Sequence, residues 1–164
     1  MSVKCDPSGM KMDTNLYFYG KAASARDFYA RVFGGSVPFT AHWKDRDPSY
    51  CPEITVPEEK KDWILHTSVI FGSNSIMICD FIETHEIIGN TVSLTLNFDD
   101  LDKMKKIFND LGEGGKVQMP VAQQFWGAHY AVVQDKFGVI WGLNCPIKVS
   151  PDGEHESKKS KIEE

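Results

Sequence analysis

Residues 125–145 read FWGAHYAVVQDKFGVIWGLNC, and residues 63–81 read WILHTSVIFGSNSIMICDF. Each stretch is an apolar, β-branched run, a short turn and a second apolar run. That is the pattern of a β-hairpin. Overlaid, His66 falls on His129, Val69-Ile70 on Val132-Val133, and Ile76-Met77-Ile78 on Val139-Ile140-Trp141. This register also sets Cys79 against Gly142.

The overlay extends upstream. Leu16 matches Leu94, Phe28 matches Phe108, and the glycines at 34–35 match those at 114–115. Any two α/β segments share some pattern of this kind. Here element order, turn position and histidine register agree, which favours a duplicated unit.

Leu16–Tyr19 reads as a strand. Ala25, Phe28, Tyr29, Val32 and Phe33 then recur at helical spacing, and Gly34-Gly35 ends that helix. Ser36–Trp43 reads as a strand. Residues 44–61 hold Pro48, Pro52 and Pro57 and read as a loop. Trp63–Phe71, a turn at Gly72–Ser75, and Ile76–Phe81 complete the first unit. In the second, Thr91–Phe98 is a β run. Asp99 and Asp100 cap a helix whose apolar face is Leu101, Met104, Phe108 and Leu111. Lys116–Met119 reads as a strand stopped by Pro120. Tyr130–Val133, a turn at Asp135–Gly138, and Val139–Cys145 follow. The expected class is α+β: tandem βαβββ units forming curled mixed sheets with helices on the outer face. The domain spans residues 14–147, with units at about 14–81 and 91–147 and polar tails at 1–13 and 148–164.

Composition narrows the function. The chain has 164 residues, 41% hydrophobic and 12% aromatic, which suits a packed core. Net charge is -5 with mixed signs and no basic stripe, which argues against nucleic acid. No run approaches the roughly 20 apolar residues of a membrane span. Cys5, Cys51, Cys79 and Cys145 show no CxxC spacing. The reading is a cytoplasmic protein with reduced thiols, which more often serve as small buried hydrophobes than as nucleophiles.

Local motifs sharpen the fold. Tyr17-Phe18-Tyr19-Gly20-Lys21-Ala22-Ala23, Asp27-Phe28-Tyr29, and Val32-Phe33-Gly34-Gly35 open the first unit. Gly89-Asn90-Thr91-Val92-Ser93-Leu94, Phe125-Trp126-Gly127-Ala128-His129-Tyr130, and Asp135-Lys136-Phe137-Gly138-Val139-Ile140-Trp141 follow in the second. Together they resemble the PhnB-like branch of the vicinal oxygen chelate superfamily (glyoxalase and bleomycin-resistance proteins). The resemblance covers about residues 14–147. That branch is often labelled demethylubiquinone methyltransferase, yet nothing here resembles a methyltransferase nucleotide loop.

The resemblance implies a homodimer with a ligand cleft. In metal-dependent members, His and Glu from the first and last strands of each unit hold a divalent ion there. Carried over, those four places fall on Thr14 or Asn15, Ile78 or Cys79 (the repeat favours Cys79), Ser93, and Gly142. None is His, Asp or Glu, the donors such ions prefer. No cofactor is therefore expected. A displaced site, with a divalent metal, would fall on His66, Asp80 and His129. Against it, each histidine suits an ordinary hydrogen bond at a strand start, and Asp80 suits a solvated turn.

Trp126 and Tyr130 offer flat contact area for a small organic ligand, with Gln124 and Gln123 supplying amide hydrogen bonds. Trp141 alternates away from the cleft. The candidate ligand-binding set is Trp126, Tyr130, His66, His129, Gln124 and Cys79. The leading expectation is a metal-free small-molecule binder. The alternative is a metal-dependent lyase, isomerase or dioxygenase with displaced ligands. A third reading makes the tail from Glu154 to Glu164 a contact segment for another protein.

Overall fold

The computed structural model describes residues 13–49, 52–82 and 88–148. Tyr50, His85, Cys5, Cys51 and residues 1–12 and 149–164 of the tails lie outside them. The chain forms two compact units. The first comprises the described residues up to Val92 together with Lys136–Val139; the second comprises Ser93–Asp135 and the described residues from Ile140 onward.

Unit one contains β1 (Thr14–Phe18), α1 (Ala22–Phe33), β2 (Thr40–His42), β3 (Ile64–Phe71) and β4 (Asn74–Asp80). Its sheet order is β1-β4-β3-β2, with β1 parallel to β4 and the other pairs antiparallel. Unit two contains β5 (Leu94–Asn97), α2 (Leu101–Gly112), β6 (Lys116–Gln124), β7 (Ala128–Gln134) and β8 (Ile140–Pro146). Its order, β5-β8-β7-β6, is the same plan. Two mixed four-stranded sheets, each with one helix, make the α+β duplicated fold that the resemblance implies.

In each unit the helix covers one sheet face. Alternation places Val69, Ile76, Ile78 and Phe18 under α1, where they are buried with Ala25, Phe28, Tyr29 and Val32. In unit two, Ala131, Val133, Trp141 and Leu143 are buried with Met104, Ile107 and Leu111. Ile107 thus carries the helix face together with Met104 and Leu111, while Phe108 is only half-buried. The Trp141 indole donates to the buried Asp135 carboxylate at 2.8 Å.

The matched glycines mark where each helix exit crosses its sheet. A Cβ on Gly35 would meet Val69 Cγ1 at 2.7 Å, and one on Gly115 would strike the Gln134 carbonyl oxygen. Lys136–Val139, after Asp135, belong to the first unit. Phe137 belongs to unit one, where it meets the Phe28 ring edge-on at 5.5 Å.

Several boundaries differ from the sequence reading. β6 does not stop at Pro120; it runs on to Gln124. It is an edge strand, and its register shifts on both sides of Met119, so the missing proline N–H breaks no regular ladder. β2 shrinks to three residues, and Ser36 makes only an isolated bridge to Ile70. β5 keeps only Leu94–Asn97. The loop at 44–61 carries one short 3-10 turn at Glu58–Lys60, with another at Trp43–Asp45 beside its start.

The start of α1 is fixed from far away. The helix has no acidic residue in its first turn, and Lys21 at the cap position supplies no side-chain bond. Instead, Asp80 Oδ1 accepts from the backbone N–H groups of Lys21 and Ala22, both at 3.0 Å. Its Oδ2 accepts from Ile64 N–H at 3.1 Å. Asp80 is therefore not a solvated turn carboxylate: it is 3% exposed and serves as the cap. Replacing it with Ala strands three backbone donors, two of them buried. We expect Asp80→Ala to lower unfolding free energy by about 3 kcal/mol in urea titrations, and Asp80→Asn to cost less, because one acceptor oxygen remains.

Candidate functional site

Each sheet has a second face, opposite its helix. In unit one, alternation brings Asn15 and Tyr17 of β1, Met77 and Cys79 of β4, and His66 and Ser68 of β3 onto that face. Asn15 Nδ2 donates to the Tyr17 hydroxyl at 2.9 Å, and the Cys79 thiol donates to Asn15 Oδ1 at 3.6 Å. The Tyr17 ring stacks on Phe81 with centroids 4.3 Å apart. His66 meets the Phe39 ring at 5.4 Å.

In unit two the corresponding face carries Thr95, Asn97, Gly142, Asn144, Tyr130 and Gln124. Gly142 has no side chain, and its neighbours use the space. A Cβ there would lie 2.7 Å from the Tyr130 hydroxyl and 3.0 Å from Thr95 Oγ1. The Trp126 ring meets Tyr130 edge-on at 5.8 Å. Gln124 donates to the Ala122 carbonyl at 3.4 Å. Its neighbour Gln123 points to the other face, paired with His129.

The structure separates the two histidines that the overlay paired. Leu16 pairs with Ile78 and Leu94 with Trp141, so the outer strands keep the expected register and Cys79 does correspond to Gly142. The hairpins differ. In unit one Phe71 pairs with Asn74 across two turn residues; in unit two Gln134 pairs with Ile140 across five. Thr67 opposes Ile78, whereas Val133 opposes Trp141. His66 thus corresponds to Val132, not to His129.

His66 lies on the helix-free face of its sheet. His129, paired with Cys145, lies on the α2 side of the other. There it lines a pocket of about 600 Å³ with Asp99, Asp100, Cys145 and Lys148. Of the displaced set, His66 is on the helix-free face of its own sheet, His129 is on the helix side of its own, and Asp80 is occupied as a helix cap.

The resemblance implies four places for the ligands of a divalent ion. Asn15 offers an amide already bonded to two neighbours, Cys79 a thiol, Ser93 a hydroxyl, and Gly142 nothing. Burial pushes the Cys79 thiol up to about 11, with the Asp80 charge adding to the shift. Among the described residues, no group of three or more His, Cys, Asp or Glu is arranged to hold a metal ion. The aromatic pair Tyr17–Phe81 and the Asn15 link were not singled out from sequence. Their signal was the alternation of β1 against β4, which only the pairing register resolves.

Residues 10–144 match the model of the family described as 3-demethylubiquinone-9 3-methyltransferase. Protein PA1353 from Pseudomonas aeruginosa superposes with a TM-score of 0.72 at 29% identity, covering 85% of this chain and 99% of its own. A PhnB protein from Bacillus cereus superposes at 0.67 and 21% identity, covering 83% and 99%. A glyoxalase/bleomycin resistance protein/dioxygenase family enzyme from Burkholderia phytofirmans shares the fold at 0.54 and 16% identity, covering 82% and 96%.

The state of Cys79 is open to direct measurement. At pH 8 its thiolate fraction is about one in a thousand, against roughly a quarter for an ordinary thiol. We expect iodoacetamide to label Cys79 more than a hundredfold more slowly than a free cysteine at pH 8, with the rate climbing as pH approaches 11. Peptide mapping by mass spectrometry reads it, and rapid labelling at pH 7 would contradict the buried thiol.

Proposed function

The chain belongs to the family described as 3-demethylubiquinone-9 3-methyltransferase, a PhnB-like branch of the vicinal oxygen chelate superfamily, and on that premise we propose that it binds a small organic molecule without a resident divalent metal. The observation that carries this reading is the chemistry of the four family ligand places. Neutral groups stand at three of them, and in unit two the Tyr130 phenol and Thr95 hydroxyl crowd over the fourth, Gly142.

Aromatic surface beside those groups supports the ligand class. Tyr130 and the half-exposed Trp126 form one corner; Tyr17 and Phe81 form a stacked shelf. Flat rings bind planar or apolar molecules through contact area, and the neutral polar groups orient them. Methyl transfer, the activity in the family's description, finds no support in this sequence: no glycine-rich turn joins a strand to a helix in the manner of a nucleotide-binding loop.

The working form under this reading is a cytoplasmic homodimer. Exposed Val117 and Met119 on the edge strand β6 are surface a second copy would cover. Among the described residues no helix is long and apolar enough to cross a membrane.

A thermal-shift screen of small planar compounds, run with and without EDTA, tests the reading. Hits should raise the melting temperature equally in both conditions, and Trp126→Ala should weaken the best of them about tenfold. Stoichiometric zinc, nickel, manganese or iron in the purified protein, with a turnover lost on chelation, would overturn it.

A further inference from the structure

We infer that the Tyr17 hydroxyl is a dedicated hydrogen-bond donor to ligand, and that its face of unit one takes a small planar molecule bearing a carbonyl or carboxylate oxygen. This rests on the metal-free binding reading above and names the chemistry that one of the two sheet faces would recognise.

The argument starts from the direction of the hydrogen bonds. Cys79 Sγ donates to Asn15 Oδ1, and Asn15 Nδ2 donates to the Tyr17 oxygen. An amide oxygen can only accept, so the thiol end of this chain is the donor. With Asn15 donating to it, the Tyr17 oxygen is used as an acceptor. Its own O–H donates to no described residue. A tyrosine hydroxyl has a single proton to give, so whatever meets it must accept. Bonds running in one direction polarise each other and strengthen the last donor.

The surroundings fit an incoming molecule. The Tyr17 and Phe81 rings lie 8° from parallel and are 50% and 45% exposed, which leaves an apolar shelf beside the donor. Across the same face, Asn15 pairs with Met77 and Met77 with Ser68. Ser68 is only 8% exposed, yet its hydroxyl meets no hydrogen-bond partner among the described residues. A buried hydroxyl left unpaired is costly and calls for a partner from outside the described residues. His66, two residues earlier on β3, faces the same way.

The test uses acetophenone, which carries a carbonyl acceptor, and ethylbenzene, which has a similar shape without one. Both are titrated by 1H–15N NMR against the full-length protein and its Tyr17→Phe variant. That variant keeps the ring and its stack on Phe81, so folding should be unaffected. We expect acetophenone to shift amides of β1 and β4, and Tyr17→Phe to weaken it about fivefold, with ethylbenzene unchanged. Asn15→Leu, which frees the phenol to rotate, should weaken acetophenone to a lesser degree. Equal acetophenone affinity in wild type and Tyr17→Phe overturns the inference, and so does the absence of shifts in β1 and β4 at saturation. Either result, with Trp126-dependent binding intact, leaves the metal-free reading standing. A stoichiometric metal with chelation-sensitive turnover removes both.

Discussion

One carboxylate organises the first unit. Asp80 closes β4 and accepts three backbone N–H groups, two from the start of α1 and one from the start of β3. A helix start carries unpaired donors and a positive dipole end, so a buried anion there satisfies both at once. The bond ties residues 58 apart in sequence and sets where α1 begins relative to its sheet. The second unit solves the same problem locally: Asp100 accepts from Asp102 and Lys103 N–H within its own helix start. The duplication is therefore one of architecture, with the capping bond moved between units.

That bond also divides the labour of two adjacent residues. Strand alternation sends Asp80 under the helix and Cys79 to the opposite face. The first stabilises the fold; the second joins a polar link with Asn15 and Tyr17. Asp80's charge sits next to Cys79 and reinforces the effect of burial on the thiol. A carboxylate that reads as a spare metal ligand in sequence is in fact committed to backbone donors, and its neighbour is kept neutral.

Much of the architecture was legible. The β-hairpin pattern, the glycine pairs and the helical spacing each reflect a local rule, so the order of elements along the chain and the helix of each unit followed from them. The correspondence of Cys79 with Gly142 also held, since Leu16 pairs with Ile78 and Leu94 with Trp141. The histidine pairing failed for a definite reason. The second hairpin turn has three extra residues, and an odd shift in a strand exchanges its faces. No feature of the Asp135–Gly138 segment announces that, since its turn residues suit several loop lengths.

By itself, the sequence determined the duplicated α+β plan and the helical and strand spacing within each unit. Both are properties of residue type and local spacing. The tertiary structure alone decided which side chains share a face. It put His66 and His129 on opposite sides of their sheets, gave Asp80 to α1, laid Tyr130 over Gly142, and linked Cys79 through Asn15 to Tyr17. The physical reason is that facing is set by strand register and turn length. Those are settled by pairing between segments distant in the chain, where a single residue's slip turns a site residue into a core one.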